Sequence, residues 1–189
     1  MARPPPNKNI NYIGRKTFMV TTVTINRANA FANNSFAAIA VAQLLRQAKK
    51  HRFELPAYTF MDDHAHVVAT GLCATSNLEK FVAGWKQATG FDWSNFSGGP
   101  LWQEGYWDRR LRADGSIVDF IEYVIMNPVR AGMVDHPAKH PLTGSTVYTI
   151  DEMVAMVERA AAQKIATPIE PSGDVSEGRG GTKVPPSRR

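Results

Sequence analysis

Short runs of aromatic and β-branched residues alternate with longer segments of helical spacing along most of the chain. Strands are predicted where such residues cluster, and helices where apolar residues recur every three or four positions behind an Asn or Ser cap. The predicted strands are 17–24, 55–61 and 64–70, and the predicted helices are 33–52, 76–88, 116–127 and 151–164. This order of elements predicts a small α+β domain, with an antiparallel sheet and helices packed on it.

Two terminal segments and one internal segment lack this periodicity. Residues 1–11 are rich in Pro and Asn and carry cations, so we interpret them as a flexible basic arm. Residues 165–189 hold Pro, Gly, Ser and charges with few large apolar side chains, which is typical of disorder. Residues 89–115 contain many Gly and Trp and are predicted to form a long ordered loop. The folded domain is expected over residues 12–150, followed by the C-terminal helix 151–164.

Composition narrows the class of protein only modestly. The chain has 189 residues, a formal net charge of +5 and a pI near 9.5, which permits a nucleic-acid partner without establishing one. Its single cysteine, Cys73, excludes a disulfide within the chain. No run approaches the roughly 20 apolar residues that span a bilayer, and the first residues lack the apolar segment of a secretory signal. A cytoplasmic protein without membrane association is therefore expected.

Two of the five histidines, His64 and His66, alternate inside a predicted strand. Alternate side chains of a strand share a face, so both imidazoles could bind one metal ion while Ala65 points into the core. The alternative is a pair of polar residues on a solvated strand face, and the pair alone favours that alternative. The preceding Asp62 and Asp63 could be further ligands or only turn residues.

The predicted helix 116–127 combines an apolar side with a polar row. Asp119, Tyr123 and Asn127 are spaced by four and therefore line up along the helix. An Asn amide oxygen can bind a metal ion, and a tyrosine held beside a metal can act as a nucleophile. A half-buried tyrosine and a helix-ending asparagine are the alternative, which the spacing alone favours.

Cations and aromatic residues are interleaved before this helix. Such a surface suits single-stranded DNA, because bases stack on rings and phosphates pair with guanidinium groups. The alternative is solvated arginines beside tryptophans that fill the core, and for the tryptophans we predict core packing. A second basic cluster is either the charged end of a helix or a nucleic-acid contact. The first group is Trp102, Tyr106, Trp107, Arg109, Arg110 and Arg112, and the second is Arg46, Lys49, Lys50, His51 and Arg52.

Four sequence blocks, in this order, carry a resemblance to a known family. They are GRKTFMVTTVTINRANAF (14–31), AYTFMDDHAHVV (57–68), LWQEGYWDRRLR (101–112) and YVIMNPVRAGMV (123–134). Together they resemble the single-tyrosine HUH transposases, and more closely the REP-associated tyrosine transposases. The family usually has Pro-Asn where this chain has Asp62 and Asp63, and a residue larger than Ala65 between the histidines.

The resemblance implies a ferredoxin-like HUH domain that cleaves and rejoins single-stranded DNA through a 5′-phosphotyrosine link. Tyr123 is the implied nucleophile, and His64, His66 and Asn127 are the implied ligands of Mg²⁺ or Mn²⁺, of which Mn²⁺ accepts imidazole more readily. The implied substrate is a hairpin or REP-like DNA, the implied assembly is a monomer or homodimer, and the implied location is the nucleoid. The DNA-binding residues that we expect are Arg15, Arg27, Arg109, Arg110, Arg112 and Arg130.

Three other functions remain open from the sequence. A catalytically degenerate binder of single-stranded nucleic acid would keep the same fold, and the departures at Asp62, Asp63 and Ala65 motivate it. A replication initiator or relaxase would use the same chemistry, but the short chain without a helicase-like domain argues against both. A His-x-His metal hydrolase would need further ligands, and we assign no such role to His136 or His140, which lie in a proline-containing loop.

Overall fold

The structure, a computed structural model, describes residues 11–166. Within this range the chain forms five strands and five α-helices, with three short 3-10 turns between them. In chain order they are β1 (Thr17–Val23), α1 (Asn34–His51), β2 (Phe53–Met61), β3 (His64–Gly71), α2 (Leu78–Ser97), β4 (Trp107–Arg110), α3 (Ile117–Ile125), α4 (Asn127–Arg130), β5 (Thr143–Gly144) and α5 (Ile150–Ala166).

The five strands form one open sheet in the order β4-β1-β3-β2-β5, and every neighbouring pair is antiparallel. The first six elements follow the β-α-β-β-α-β order of ferredoxin-like folds, in which β1 and β3 lie in the middle of the sheet. The predicted α+β class, the antiparallel sheet and its ferredoxin-like arrangement are therefore confirmed.

The two faces of the sheet carry separate apolar cores. Ala65, Val67 and Ala69 of β3 pack with residues of α1 and α2. Val68, together with Ala57 of β2, packs instead with α3 and α5. Because side chains alternate along a strand, both histidines of β3 lie on the α3 and α5 face. This face positions the candidate site.

The predicted loop over residues 89–115 is wrong at its start, because α2 continues to Ser97. Aromatic contacts with α1 sustain the helix past Gly90: the ring centroid of Trp93 lies 4.7 Å from that of Phe36. The helix ends at Gly98, whose positive φ of 78° lets its N–H turn back to the helix carbonyls.

The predicted loop is also wrong over residues 107–110, which form edge strand β4 beside β1. Trp102 lies 5.5 Å from Trp85 and donates to the Thr89 hydroxyl at 2.8 Å, so its predicted core position is confirmed. Trp107 is 36% exposed, so its predicted core position is wrong. The reason is its place on an edge strand, which has a neighbour on one side only.

Helix α3 begins behind its Ser116 cap, as predicted, but ends at Ile125, and Pro128 lies in the first turn of α4.

Residues 1–10 and 167–189, which hold nearly all of the predicted arm and tail, lie outside the described residues, and α5 extends to Ala166. In the range that the structure covers, no helix is long and apolar enough to cross a membrane.

Candidate active site

The strand register gathers the two histidines in the middle of the sheet. His66 lies opposite Thr21 of β1 on one side and Thr59 of β2 on the other, and His64 occupies the next position on the same face. The two imidazole centroids are 4.8 Å apart. The prediction that both side chains project from one face is confirmed.

His66 is buried, with 4% of its surface exposed. Its Nδ1 lies 2.8 Å from the hydroxyl of Thr21. Burial, and secondarily the neighbouring His64, lowers the pKa of His66 to about 3. The imidazole is therefore neutral near pH 7 and keeps a nitrogen lone pair for a metal ion. The alternative of two polar residues on a solvated strand face is wrong for His66.

His64 is held by the aspartate that precedes it. Its Nδ1 lies 2.5 Å from Oδ1 of Asp63, whose other oxygen accepts from the Arg27 guanidinium at 3.1 Å. Burial alone would raise the pKa of Asp63, but hydrogen bonds and charges from His64 and Arg27 outweigh burial and lower it. With Nδ1 engaged by this carboxylate, Nε2 is the His64 nitrogen that could bind a metal ion.

The turn between β2 and β3 is held by hydrogen bonds from the segment that follows β1. The backbone N–H and the hydroxyl of Thr24 both donate to the Asp63 carbonyl at 2.9 Å, and the N–H of Phe31 donates to the Asp62 carbonyl at 3.0 Å. Asn26 and Arg27 adopt left-handed backbone geometry, with φ of 51° and 54°, beside this turn. Asp62 and Asp63 are thus turn residues, and Asp63 also orients His64.

Tyr123 projects from α3 toward the histidines. Its ring centroid lies 5.3 Å from that of His66, nearly edge-on at 83°, and 42% of the residue is exposed. The opposite side of α3 is anchored by fully buried Ile121, Val124 and Ile125. The apolar face of the helix therefore fixes the tyrosine at the edge of the histidine pair, where solvent and a ligand can reach it.

Two residues beyond α3 contact the tyrosine. The side-chain nitrogen of Asn127 donates to the Tyr123 carbonyl at 2.6 Å, which leaves its amide oxygen as the atom that can bind a cation. The guanidinium of Arg130 donates to the same carbonyl at 3.2 Å, lies 5.7 Å from the Tyr123 ring centre and pairs with Glu122 at 3.7 Å. Arg130 therefore contacts both the carbonyl and the ring of Tyr123.

The donor set fits a divalent metal ion. Histidines that bind metals usually engage their second ring nitrogen with another group, and Asp63 and Thr21 do this for His64 and His66. Across residues 11–166, no three His, Cys, Asp or Glu side chains form a metal-binding cluster. The amide oxygen of Asn127 is the third ligand that the resemblance to the family implies. Two imidazoles and an amide oxygen suit Mn²⁺ better than Mg²⁺.

A polar cleft of about 860 Å³ opens beside Tyr123. The predicted DNA-binding residues Arg109, Arg110 and Arg112 line it together with Asp119, and the Arg109 guanidinium lies 5.6 Å from the Phe120 ring centre. This brings three expected arginines to the tyrosine.

The other three expected arginines have different positions. Arg27 binds Asp63 and leaves 65% of its side chain exposed, and Arg130 contacts the tyrosine. Arg15 lies before the opposite end of β1, whose first residue, Thr17, is about 13 Å from Thr21 at about 3.3 Å per residue. It is not part of this site.

Sequence reasoning missed a row of polar residues beside His66. Thr59, opposite His66, lies 2.7 Å from the Thr143 hydroxyl, and buried His140 lies 3.0 Å from that hydroxyl. Burial lowers the pKa of His140, against the opposing charge of Asp62, so a neutral imidazole is favoured there. Thr143 reaches Thr59 because β5 pairs with β2. A strand of two residues has no recognisable pattern in the sequence, so this contact was not predicted.

Comparison with known sequences returns nothing. No protein-family model matches the chain, and no curated protein matches it.

Comparison with solved structures is informative about the fold. The structure of a REP-associated tyrosine transposase bound to a REP hairpin matches with a TM-score of 0.60 at 19% identity, over 97% of this chain and 99% of that chain. A candidate transposase from Deinococcus radiodurans R1 matches with a TM-score of 0.46 at 18% identity, over 67% of this chain and 92% of that chain. The first of these carries the conclusion: the chain has the fold of a REP-associated tyrosine transposase, as the resemblance of its sequence blocks implied.

Proposed function

We propose that this protein is a metal-dependent, single-tyrosine enzyme of the HUH transposase type that cleaves and rejoins single-stranded DNA. The observation that carries the proposal is the contact between the Tyr123 ring and His66, at 5.3 Å between centroids, beside a second histidine on the same face. A nucleophile and two imidazoles lie where a phosphodiester could enter from solvent, and the resemblance to the family adds the amide oxygen of Asn127 as a third ligand.

The resemblance to the single-tyrosine HUH transposases supplies the reaction that we propose for Tyr123. The Tyr123 hydroxyl attacks the phosphorus, a new bond forms between the phenolic oxygen and the 5′ phosphate, and the bond to the 3′ oxygen breaks. The phenol loses its proton, and the departing strand leaves as a 3′-hydroxyl. Asp119, one turn earlier on α3 and in the same cleft, is the candidate base. Attack by a second 3′-hydroxyl on the phosphotyrosine reverses these changes and rejoins DNA without hydrolysis.

His64, His66 and Asn127 would hold the metal ion. A bound Mn²⁺ or Mg²⁺ supplies positive charge to the non-bridging phosphate oxygens, which is where negative charge develops during attack. The neutral ligand set leaves that charge largely undiminished. Thr21 and Asp63 keep the two imidazoles oriented for this task.

The DNA partner is proposed from the cleft and from the neighbour of known structure. Arg109, Arg110 and Arg112 supply cations along the wall that leads to Tyr123, and exposed Trp107 adds an aromatic surface on the histidine face. The structural neighbour is bound to a REP hairpin, which motivates a hairpin with a single-stranded cleavage site as the substrate here. A monomer or homodimer acting at the nucleoid is compatible with this role.

The departures from the family pattern leave the two histidines in place, which is compatible with the catalytic function. Nδ1 of His64 lies 2.5 Å from Oδ1 of Asp63, so the aspartate holds this imidazole. Ala65 is fully buried against the opposite core, so its small size affects packing rather than the ligand face.

Covalent trapping tests the proposal. Labelled hairpins from the flanks of the gene are incubated with the protein and Mn²⁺ or Mg²⁺ and resolved on a denaturing gel. We expect a metal-dependent adduct that is lost in Tyr123→Phe and in His64→Ala and retained in the matched control Tyr148→Phe. Hairpin binding by the wild type without any adduct would overturn the enzyme and favour the binder.

A further inference from the structure

Arg15, which the sequence assigns to DNA binding, belongs to a second basic surface at the far end of the sheet. The backbone around it is tied to the segment after β3: Gly71 donates to the carbonyl of Lys16 at 3.0 Å, and Gly14 donates to Ser76 at 2.9 Å. The end of α1 contacts the same segment, since the N–H of Leu72 donates to the Arg52 carbonyl at 2.9 Å. The start of β1 and the end of α1 therefore meet there.

The start of α2 completes this surface. The N–H of Leu78, its first residue, donates to the carbonyl of Tyr12, and its first turn carries Lys80. Burial, followed by the charges of Lys50 and Lys80, lowers the pKa of His51, so the two lysines lie close enough to act on one imidazole. We call the group the distal basic surface, and its members are Arg15, Lys16, Lys49, Lys50, Arg52 and Lys80.

The charges of the distal basic surface are not neutralised by ion pairs. Among the residues that the structure describes, all four salt bridges involve other side chains. Arg52 does contact Sγ of Cys73 at 3.8 Å, and hydrogen bonds from Ser76 and Thr75 lower the pKa of this thiol to about 6, so the charge of Arg52 is partly offset. Five of the six cations are exposed and Lys16 is half-buried. The two carboxylates next to them in sequence are Glu54 and Glu79, so a clear positive excess remains. A surface of this kind attracts a polyanion.

The separation from the tyrosine decides which part of a DNA substrate could reach this surface. Thr17, the first residue of β1, lies about 13 Å from Thr21, which contacts His66, and Arg15 lies beyond Thr17. At 3.4 Å of rise per base pair, 13 Å is about four base pairs of duplex. A stiff stem beside the cleavage site bridges such a gap without further ordering, whereas a flexible single strand would lose conformational freedom to do so.

We propose that the distal basic surface binds the phosphates of a double-stranded stem while the adjoining single strand enters the cleft at Tyr123. The proposal rests on the proposed function for its substrate. It also explains how Arg15 could bind DNA although it lies far from the tyrosine. Phosphate contacts set the position of the DNA and carry no sequence information.

The test measures non-covalent binding in a Tyr123→Phe background. Two probes are compared over a range of salt concentrations: a hairpin with a single-stranded extension, and the same extension without its stem. The variant Lys50→Gln/Lys80→Gln removes two cations from the distal basic surface. The matched control Lys139→Gln/Arg159→Gln removes two exposed cations elsewhere.

We expect the slope of log Kd against log salt for the hairpin to fall by about one to two in the Lys50→Gln/Lys80→Gln variant only. The slope for the unpaired strand should not change. Equal slope changes for both probes, no change for the hairpin, or the same change in the control would overturn the proposal. Adduct formation with the unpaired strand, measured on protein that retains Tyr123, reports the proposed function separately.

Discussion

The hydroxyl of Thr21 lies 2.8 Å from Nδ1 of His66, across the boundary between β1 and β3. The bond fixes the rotation of a buried imidazole whose other nitrogen faces the tyrosine side of the sheet. The neighbouring histidine is fixed in the same way by a carboxylate from the preceding turn. Both imidazoles are therefore held in place by hydrogen bonds within the sheet and its turn.

Replacing Thr21 with valine should weaken Mn²⁺ binding by about 10- to 100-fold, because the valine keeps the shape and removes the hydroxyl that holds His66. Titration calorimetry with Mn²⁺ measures this directly. The matched control is Thr22→Val, since the buried hydroxyl of Thr22 has no hydrogen-bond partner in the described part of the chain. Unchanged metal affinity in Thr21→Val would show that the hydroxyl does not orient the ligand.

Asp63→Asn tests whether Asp63, which stands where the family usually has Asn, supports the site. An amide can present its nitrogen instead of a carboxylate oxygen, so His64 loses a charged acceptor and its orientation becomes less defined. We expect metal affinity and the rate of adduct formation to fall together. Asp62→Asn, at the exposed neighbouring turn position, should leave both unchanged. Equal effects of the two substitutions would assign the loss to the turn and not to His64.

Arg130→Gln separates two roles for this arginine. Its contacts with the carbonyl and ring of Tyr123 predict a positioning role, with adduct formation about 10- to 100-fold slower and DNA affinity nearly unchanged. Single-turnover rates at saturating DNA, alongside equilibrium binding, give the two quantities. The control Glu122→Gln removes only the ion pair at 3.7 Å. A loss confined to DNA affinity would instead make Arg130 the phosphate contact that the sequence suggests.

Trp107→Ala should weaken single-stranded DNA binding by about 1–3 kcal/mol, the usual contribution of one stacked base. Because Trp107 is exposed on an edge strand, the melting temperature should change little. Trp102→Ala provides the contrast, since this ring packs in the core and its loss should destabilise the fold by about 3–5 kcal/mol. Unchanged DNA affinity in Trp107→Ala would remove the tryptophan from the binding surface.

The order of β1, α1, β2, β3, α2 and α3 could be predicted because its signals are local. Alternation over 64–70 predicted β3 and a shared face for the two histidines, and four-residue spacing placed Tyr123 and Asn127 one turn apart. The second half of α2 was missed because contacts between Trp93 and Phe36 outweigh the weak helix preference around Gly90.

The supporting residues of the site could not be predicted, because they depend on contacts between distant segments. Thr21 meets His66 through the register of β1 and β3, which the sequence does not encode locally. His140 reaches the same row only because a two-residue strand pairs with β2. The resemblance to a family supplied the residue types of the site, and only the fold shows what holds them in place.

Mass spectrometry of the trapped complex is the most direct test of the central claim. Trypsin is expected to release residues 113–130, a peptide in which Tyr123 is the sole tyrosine. We predict that, after nuclease digestion of the DNA, a nucleotide remains attached to this peptide through a phosphate on Tyr123, only when Mn²⁺ or Mg²⁺ was present. Attachment at another residue, or an adduct that persists in Tyr123→Phe, would contradict the assignment of Tyr123 as the nucleophile.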